Sequence, residues 1–155
     1  MNYSVSEENY IKSIYHLQQQ TATVTTNSLA NELHTKPASV TDMLKKLQTK
    51  KLVEYEKYRG FKLNASGNKL ALNIVRRHRL WEFFLVNKLG FEWDKVHDIA
   101  EELEHVSSSE LIQRLDSFLN FPQADPHGDP IPDTNGKITF IKQLSLAEIP
   151  IKKMW

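Results

Sequence analysis

The order of apolar and polar positions divides the first part of the chain into short helices. Ser4 and Glu7 have capping-box spacing, and Tyr10, Ile11, Ile14, Tyr15 and Leu17 then recur with helical period, which predicts a first helix with one apolar face. The polar run 18–26 ends it. A short helix over SLANELH, capped by Asn27, turns Leu29, Ala30 and Leu33 inward. Thr35-Lys36-Pro37 forms a turn, and Pro37 suits the first position of the helix PASVTDMLKKLQTKK. Val40, Met43, Leu44 and Leu47 make its inner side, while Ser39, Thr41, Asp42, Lys45 and Lys46 make its outer side. Next, LVEYEKYRGFKL reads as two strands pinched at Tyr58-Arg59-Gly60, with Gly60 free to take the positive φ of a tight hairpin.

Asn64 to Gly67 caps a long helix, roughly 69–89, closed by Gly90. Its first half is basic, and its second half, LWEFFLV, is apolar on several faces, more than one packing surface needs. Such a helix can link two domains and bury one side in a subunit contact. Another helix starts near Trp93-Asp94, and a further one, ELIQRLDSFLN, is capped within 107–109 and presents Leu111, Leu115 and Leu119. Residues 121–135 are rich in Pro and Gly and read as an irregular loop, and the stretch after 136 is strand-prone. The predicted class is mainly α: a winged helix-turn-helix followed by an all-α domain.

Composition changes this picture little. With 155 residues, 40% hydrophobic and 25% charged, the chain fits one globular domain or two small ones. The absence of cysteine excludes disulfides, zinc ribbons and iron–sulfur clusters. No run approaches the roughly 18 apolar residues of a membrane span. The first ten residues lack the features of a signal peptide, and a cytoplasmic protein is expected.

Charge changes it more. Twelve basic residues lie between 36 and 80, opposed only by Asp42, Glu54 and Glu56; from 81 to 155 seven basic residues face thirteen acidic ones. A basic winged helix beside an acidic half implies a polyanion-binding unit joined to something else. In that acidic half His97, Glu101, Glu104 and His105 form one helical stripe, at i, i+4, i+7 and i+8. His78 and Glu82 repeat the pairing upstream. All six are N/O donors of the kind that bind a divalent first-row metal, against the alternative of two solvated charged faces.

The succession KYRGFKLNASG, RRHRLWEFF, VHDIAEELEHVSSSELIQRL and DPHGDPIP closely resembles the diphtheria toxin repressor family over about residues 5–135. The resemblance implies a homodimeric, metal-activated repressor. Its DNA-binding domain would be 1–72 and its helical dimerisation and metal-binding domain 73–140. Residues 141–155 would be a tail, or the start of an SH3-like third domain cut short. It assigns His78, Glu82 and His97 to an ancillary metal site, and Glu101, Glu104 and His105 to the activating site. Glu101 stands where iron-responsive members have cysteine, which points to Mn(II), with Fe(II) as the alternative. The first-helix ligand falls at Asn9, with Glu8 beside it. Lys12 stands where paired-metal members have a glutamate.

The expected function is therefore a manganese-responsive repressor of metal-uptake genes, or an iron-responsive one, bound as a dimer to a double-stranded operator and free of any membrane. Lys36, Ala38, Ser39, Thr41 and Asp42 would read bases, and Lys45, Lys46, Tyr58 and Arg59 would hold phosphates. Two rivals remain at this point. A metallohydrolase also uses His/Glu sets, but no HExxH occurs and no nucleophile lies between the pairs. A metal-independent winged-helix regulator is the other.

Overall fold

A computed structural model describes residues 2–138, so the tail 141–155 lies outside the described residues. Eight elements follow one another among them: α1 (Val5–Gln20), α2 (Thr26–Leu33), α3 (Pro37–Thr49), β1 (Val53–Glu56), β2 (Gly60–Leu63), α4 (Ala65–Asn87), α5 (His97–Leu103) and α6 (Ser109–Phe118). The capping box at Ser4 and Glu7 is formed in both directions. α2 starts earlier than its sequence suggested, because Thr25 and Ser28 cap each other and Asn27 falls inside the helix. His34 ends α2 in a left-handed conformation, φ 52°, and Pro37 opens α3 without a side-chain cap.

β1 and β2 pair antiparallel with Val53 opposite Leu63 and Glu56 opposite Gly60. Lys57, Tyr58 and Arg59 form the tip, and Val24 adds a third short piece, accepting from the Phe61 amide at 2.8 Å. Gly60 is required there twice over. Its φ is +77°, and a Cβ would sit 2.3 Å from the Val24 carbonyl oxygen.

Two hydrophobic clusters result. Ile11, Ile14, Leu29, Val40, Leu44, Leu47, Leu63 and Ile74 belong to the first, under α1, the helix-turn-helix and the hairpin. Ile11 and Ile14 have no exposed surface, worth about 1.5–3 kcal/mol each. Leu80, Ile112, Leu115 and Leu119 make the second, flanked by Trp81, Phe83 and Phe84. α4 runs through both, so its first half seats the winged helix and its second half carries the acidic unit. On α6, Ile112 and not Leu111 faces inward, since Leu111 is exposed.

Candidate metal centre and nucleic-acid interface

α5 begins at His97, because residues 93–95 form a turn, and it ends at Leu103. Glu104 keeps helical dihedrals, φ −62° and ψ −19°, and so continues the stripe as the C-cap. Burial nevertheless changes sharply along the stripe. The His97 side chain is 59% exposed, while that of Glu104 is 1% exposed. At the C-terminal end of α5 both α1 and α4 meet Glu104, through Lys12 and His78, whereas at the N-terminal end His97 meets the His78 ring of α4, at 5.0 Å between centroids, and its Nε2 lies 3.0 Å from Glu101 Oε1. Glu104 Oε1 accepts from Lys12 Nζ at 2.7 Å and from His78 Nδ1 at 3.0 Å.

His78 stands between two carboxylates, with its Nε2 3.2 Å from Glu82 Oε1. Burial pushes the His78 pKa down, but the hydrogen bonds the ring donates to Glu104 and Glu82 outweigh it and hold the ring above its ordinary value. Burial likewise opposes ionisation of Glu82 and Glu104, and the His78 hydrogen bond, with Lys12 at Glu104, keeps both below the usual carboxylate range.

A second group was not foreseen in the sequence. Glu82, Asp125 and His127 bring one donor atom each within 4.8 Å of one another, as do His78, Glu82 and His97. Glu82 is common to both. The loop carrying Asp125 and His127 is fastened to α4, where Arg79 donates to the Pro130 carbonyl. His127 Nε2 is 2.8 Å from the Trp93 carbonyl oxygen, so that nitrogen donates to it and Nδ1 is turned toward the carboxylates. Nδ1 lies 3.4 Å from Glu82 Oε2 and 3.8 Å from Asp125 Oδ2. Asp125 Oδ1 is already used, accepting from the amides of His127 and Asp129. An imidazole nitrogen and two carboxylate oxygens therefore converge on one point. Burial, with the Glu82 charge adding to it, pushes the Asp125 carboxyl up. The sequence signal was the Asp-Pro-His spacing in DPHGDPIP, where two donors flank a single proline.

This donor set fits a divalent cation. Glu82 Oε2 and Glu104 Oε2 are buried without a hydrogen-bond partner among the described residues, an arrangement that costs about 1–3 kcal/mol or more per group unless a cation or proton completes it. At the first helix, Asn9 is exposed, whereas Glu8 is buried and points into the second domain. Glu8 Oε1 is 2.9 Å from His105 Nδ1, and Glu8 Oε2 accepts from Arg77 Nη2 at 2.9 Å. Glu101, Glu104 and His105 are thus spread along a chain of contacts, Glu101 and Glu104 at Lys12 and His105 at Glu8.

The other candidate surface is the outer side of α3 with the hairpin. Lys36, Ala38, Ser39, Thr41, Asp42, Lys45 and Lys46 are all exposed. The Thr41 hydroxyl is tied back to the Pro37 carbonyl at 3.1 Å. Tyr58 is 87% exposed at the hairpin tip beside Arg59, whose side chain is 81% exposed. An exposed helix preceded by a tight turn, with a basic hairpin alongside, is the geometry that enters a major groove and grips its flanking phosphates.

Comparison with known proteins brings the two surfaces together. A family model described as iron dependent repressor, N-terminal DNA binding domain, matches residues 3–61, and one described as iron dependent repressor, metal binding and dimerisation domain, matches 64–133. The diphtheria toxin repressor of Corynebacterium jeikeium is 32% identical over 145 residues, covering 94% of this chain and 60% of its own. The regulator MntR of Oceanobacillus iheyensis is 36% identical over 120 residues, covering 77% and 81%. A solved manganese-dependent transcriptional repressor in complex with manganese matches with a TM-score of 0.78 and 42% identity, over 86% of this chain and 61% of that one. The chain therefore spans about three fifths of the diphtheria toxin repressor but most of MntR. These relatives are regulators, which sets the hydrolase aside. The DNA-binding model falls on the winged helix and the metal-binding and dimerisation model on the half that carries the His and carboxylate donors, and the chain belongs to the iron-dependent repressor family of metal-dependent transcriptional regulators.

Proposed function

We propose that this chain is a manganese-responsive repressor that binds a double-stranded operator as a homodimer and governs metal uptake. The observation that carries the reading is the convergence of His127 Nδ1, Asp125 Oδ2 and Glu82 Oε2, an imidazole and two carboxylates set as the donor atoms of one cation would be. Glu82, Asp125 and His127 would hold one ion. His78, Glu82 and His97, and separately Glu104 and His105 with Glu8, supply the remaining donors. Oxygen and imidazole ligands without any thiolate suit Mn(II) or Fe(II). Iron-dependent IdeR relatives, such as that of Mycobacterium leprae at 32% identity, keep Fe(II) as the second reading.

A bound dication supplies positive charge to carboxylates that otherwise repel. The chain's own residues pass the consequence on. Glu8 on α1 is joined to His105 and Arg77, so ordering that end of α5 fixes α1. α1 packs in the same cluster as α2 and α3, so fixing α1 fixes the reading face. In a dimer, with the apolar second half of α4 and α6 as its contact, this sets the separation of two reading helices. A coupling of about 1–3 kcal/mol suffices for such a switch.

The test is operator binding followed by fluorescence anisotropy after chelation and on addition of Mn(II), Fe(II) and Zn(II) in turn. Tight binding with Mn(II) at concentrations where chelated protein stays free is expected. Equal binding in chelator and in every metal would end the metal-sensor reading.

A further inference from the structure

We propose that the Lys12 ammonium is a built-in cation of this centre. It ties α1 to the second domain through Glu104, and it competes with a divalent ion for that carboxylate. The proposal rests on the metal-centre reading above and adds to it a residue that sets the threshold of the response.

Four observations carry it. Lys12 lies on α1, one helical turn after Glu8, and its Nζ is 2.7 Å from Glu104 Oε1 across 92 residues of sequence. The same ammonium is 4.0 Å from Glu101 Oε1, between the two carboxylates of the stripe. Its side chain is only 14% exposed, unlike a solvated surface lysine. Finally, Glu104 keeps a second oxygen, Oε2, buried and without a hydrogen-bond partner among the described residues, so the pair leaves that oxygen uncompensated there.

The chemistry follows from charge and space. A carboxylate shut off from water needs a cation or hydrogen-bond donors against it, and Lys12 sets its ammonium 2.7 Å from Glu104 Oε1. It shares Glu104 Oε1 with His78, which already serves Glu82. An ion attached to Glu104 would face the ammonium a few ångströms away, in surroundings where like charges are poorly screened. Such an ion therefore has to move Lys12 aside. The ammonium thus does two things: it holds the metal-free protein partly assembled, and it makes Glu104 a weaker ligand than its charge alone implies.

The experiment is calorimetric titration of Mn(II) into chelated, dialysed wild type, Lys12→Met and Lys12→Gln, with thermal melting of each protein before and after Mn(II). Lys12→Met should bind Mn(II) at least about tenfold more tightly, about 1.4 kcal/mol. Its metal-free melting temperature should fall, so that the rise produced by Mn(II) widens. Lys12→Gln, which can still donate to Glu104, should lie between. If Lys12→Met folds only with Mn(II), that is the expected effect in extreme form; if it folds in neither condition, Lys12→Gln decides by the same comparison. Unchanged or weaker Mn(II) affinity in the folded variants, with wild type binding normally, overturns the role given to Lys12 alone. Failure of wild type itself to bind Mn(II) overturns the proposal together with the metal-centre reading beneath it.

Discussion

Glu8→Ala separates the two first-helix candidates. Glu8 is 4% exposed and receives both the Arg77 guanidinium and the His105 ring, each at 2.9 Å. Removing it strands Arg77, whose side chain is 9% exposed and whose Nε already lacks a partner among the described residues. Breaking a buried ion pair by removing one member costs about 3–5 kcal/mol. Glu8 and Arg77 also line a cavity of about 370 Å³, where water can solvate the stranded guanidinium, so a loss near 2–3 kcal/mol is expected for the chelated protein. In urea this lowers the unfolding midpoint by about 1 M or more. Asn9→Ala removes an exposed side chain and should stay within about 0.5 kcal/mol. Both variants would be unfolded in urea in the presence of chelator, then titrated with Mn(II) while operator binding is followed. Glu8→Ala should also lose the Mn(II) response, because α1 is no longer joined to His105. A Glu8→Ala stability within about 0.5 kcal/mol of wild type, or an equal loss in Asn9→Ala, would refute the assignment.

Three further expectations rest on other contacts. Arg59→Ala should weaken binding to all duplexes and lower the salt slope by up to about one unit, whereas Ser39→Ala should change the ranking of operator variants; anisotropy at several salt concentrations distinguishes them, and a sequence effect from Arg59→Ala would reverse the division of labour. Gly67→Ala sets packing against propensity: alanine favours the helix by about 1 kcal/mol, but its Cβ would meet the Leu52 carbonyl oxygen at 2.2 Å, so denaturation should show net destabilisation, and a gain would be contrary to the packing described. Burial first, then the charges of Lys12 and Arg79, hold the His16 pKa below its ordinary value of 6.5. The unfolded chain therefore binds the extra proton, and this contribution is complete above that value and lost as pH falls through the lowered one. His16→Gln should show a smaller drop in urea midpoint than wild type between about pH 7.5 and about pH 5.5, and parallel drops would remove His16 from the account.

The sequence by itself determined the elements and the charge layout. Ser4 with Glu7, Pro37, the outer polar side of α3 and Gly60 each act over a few residues, through capping, fixed φ or a turn, and those effects are local to the backbone. The stripe from His97 to His105 was legible for the same reason, since a 3.6-residue period places Glu101 and Glu104 where one Lys12 touches both. Only the tertiary structure decided what each donor faces. That Glu8 is buried while Asn9 is exposed depends on which side of α1 meets α4, and two adjacent polar residues carry no record of that. Asp125 and His127 join Glu82 because Arg79 fastens their loop to α4, a contact between distant parts of the chain. The pairing of Lys12 with Glu104 spans 92 residues and exists because α4 crosses both hydrophobic clusters and fixes their relative position. Local periodicity sets which face a side chain occupies; packing of the two clusters sets what lies opposite that face.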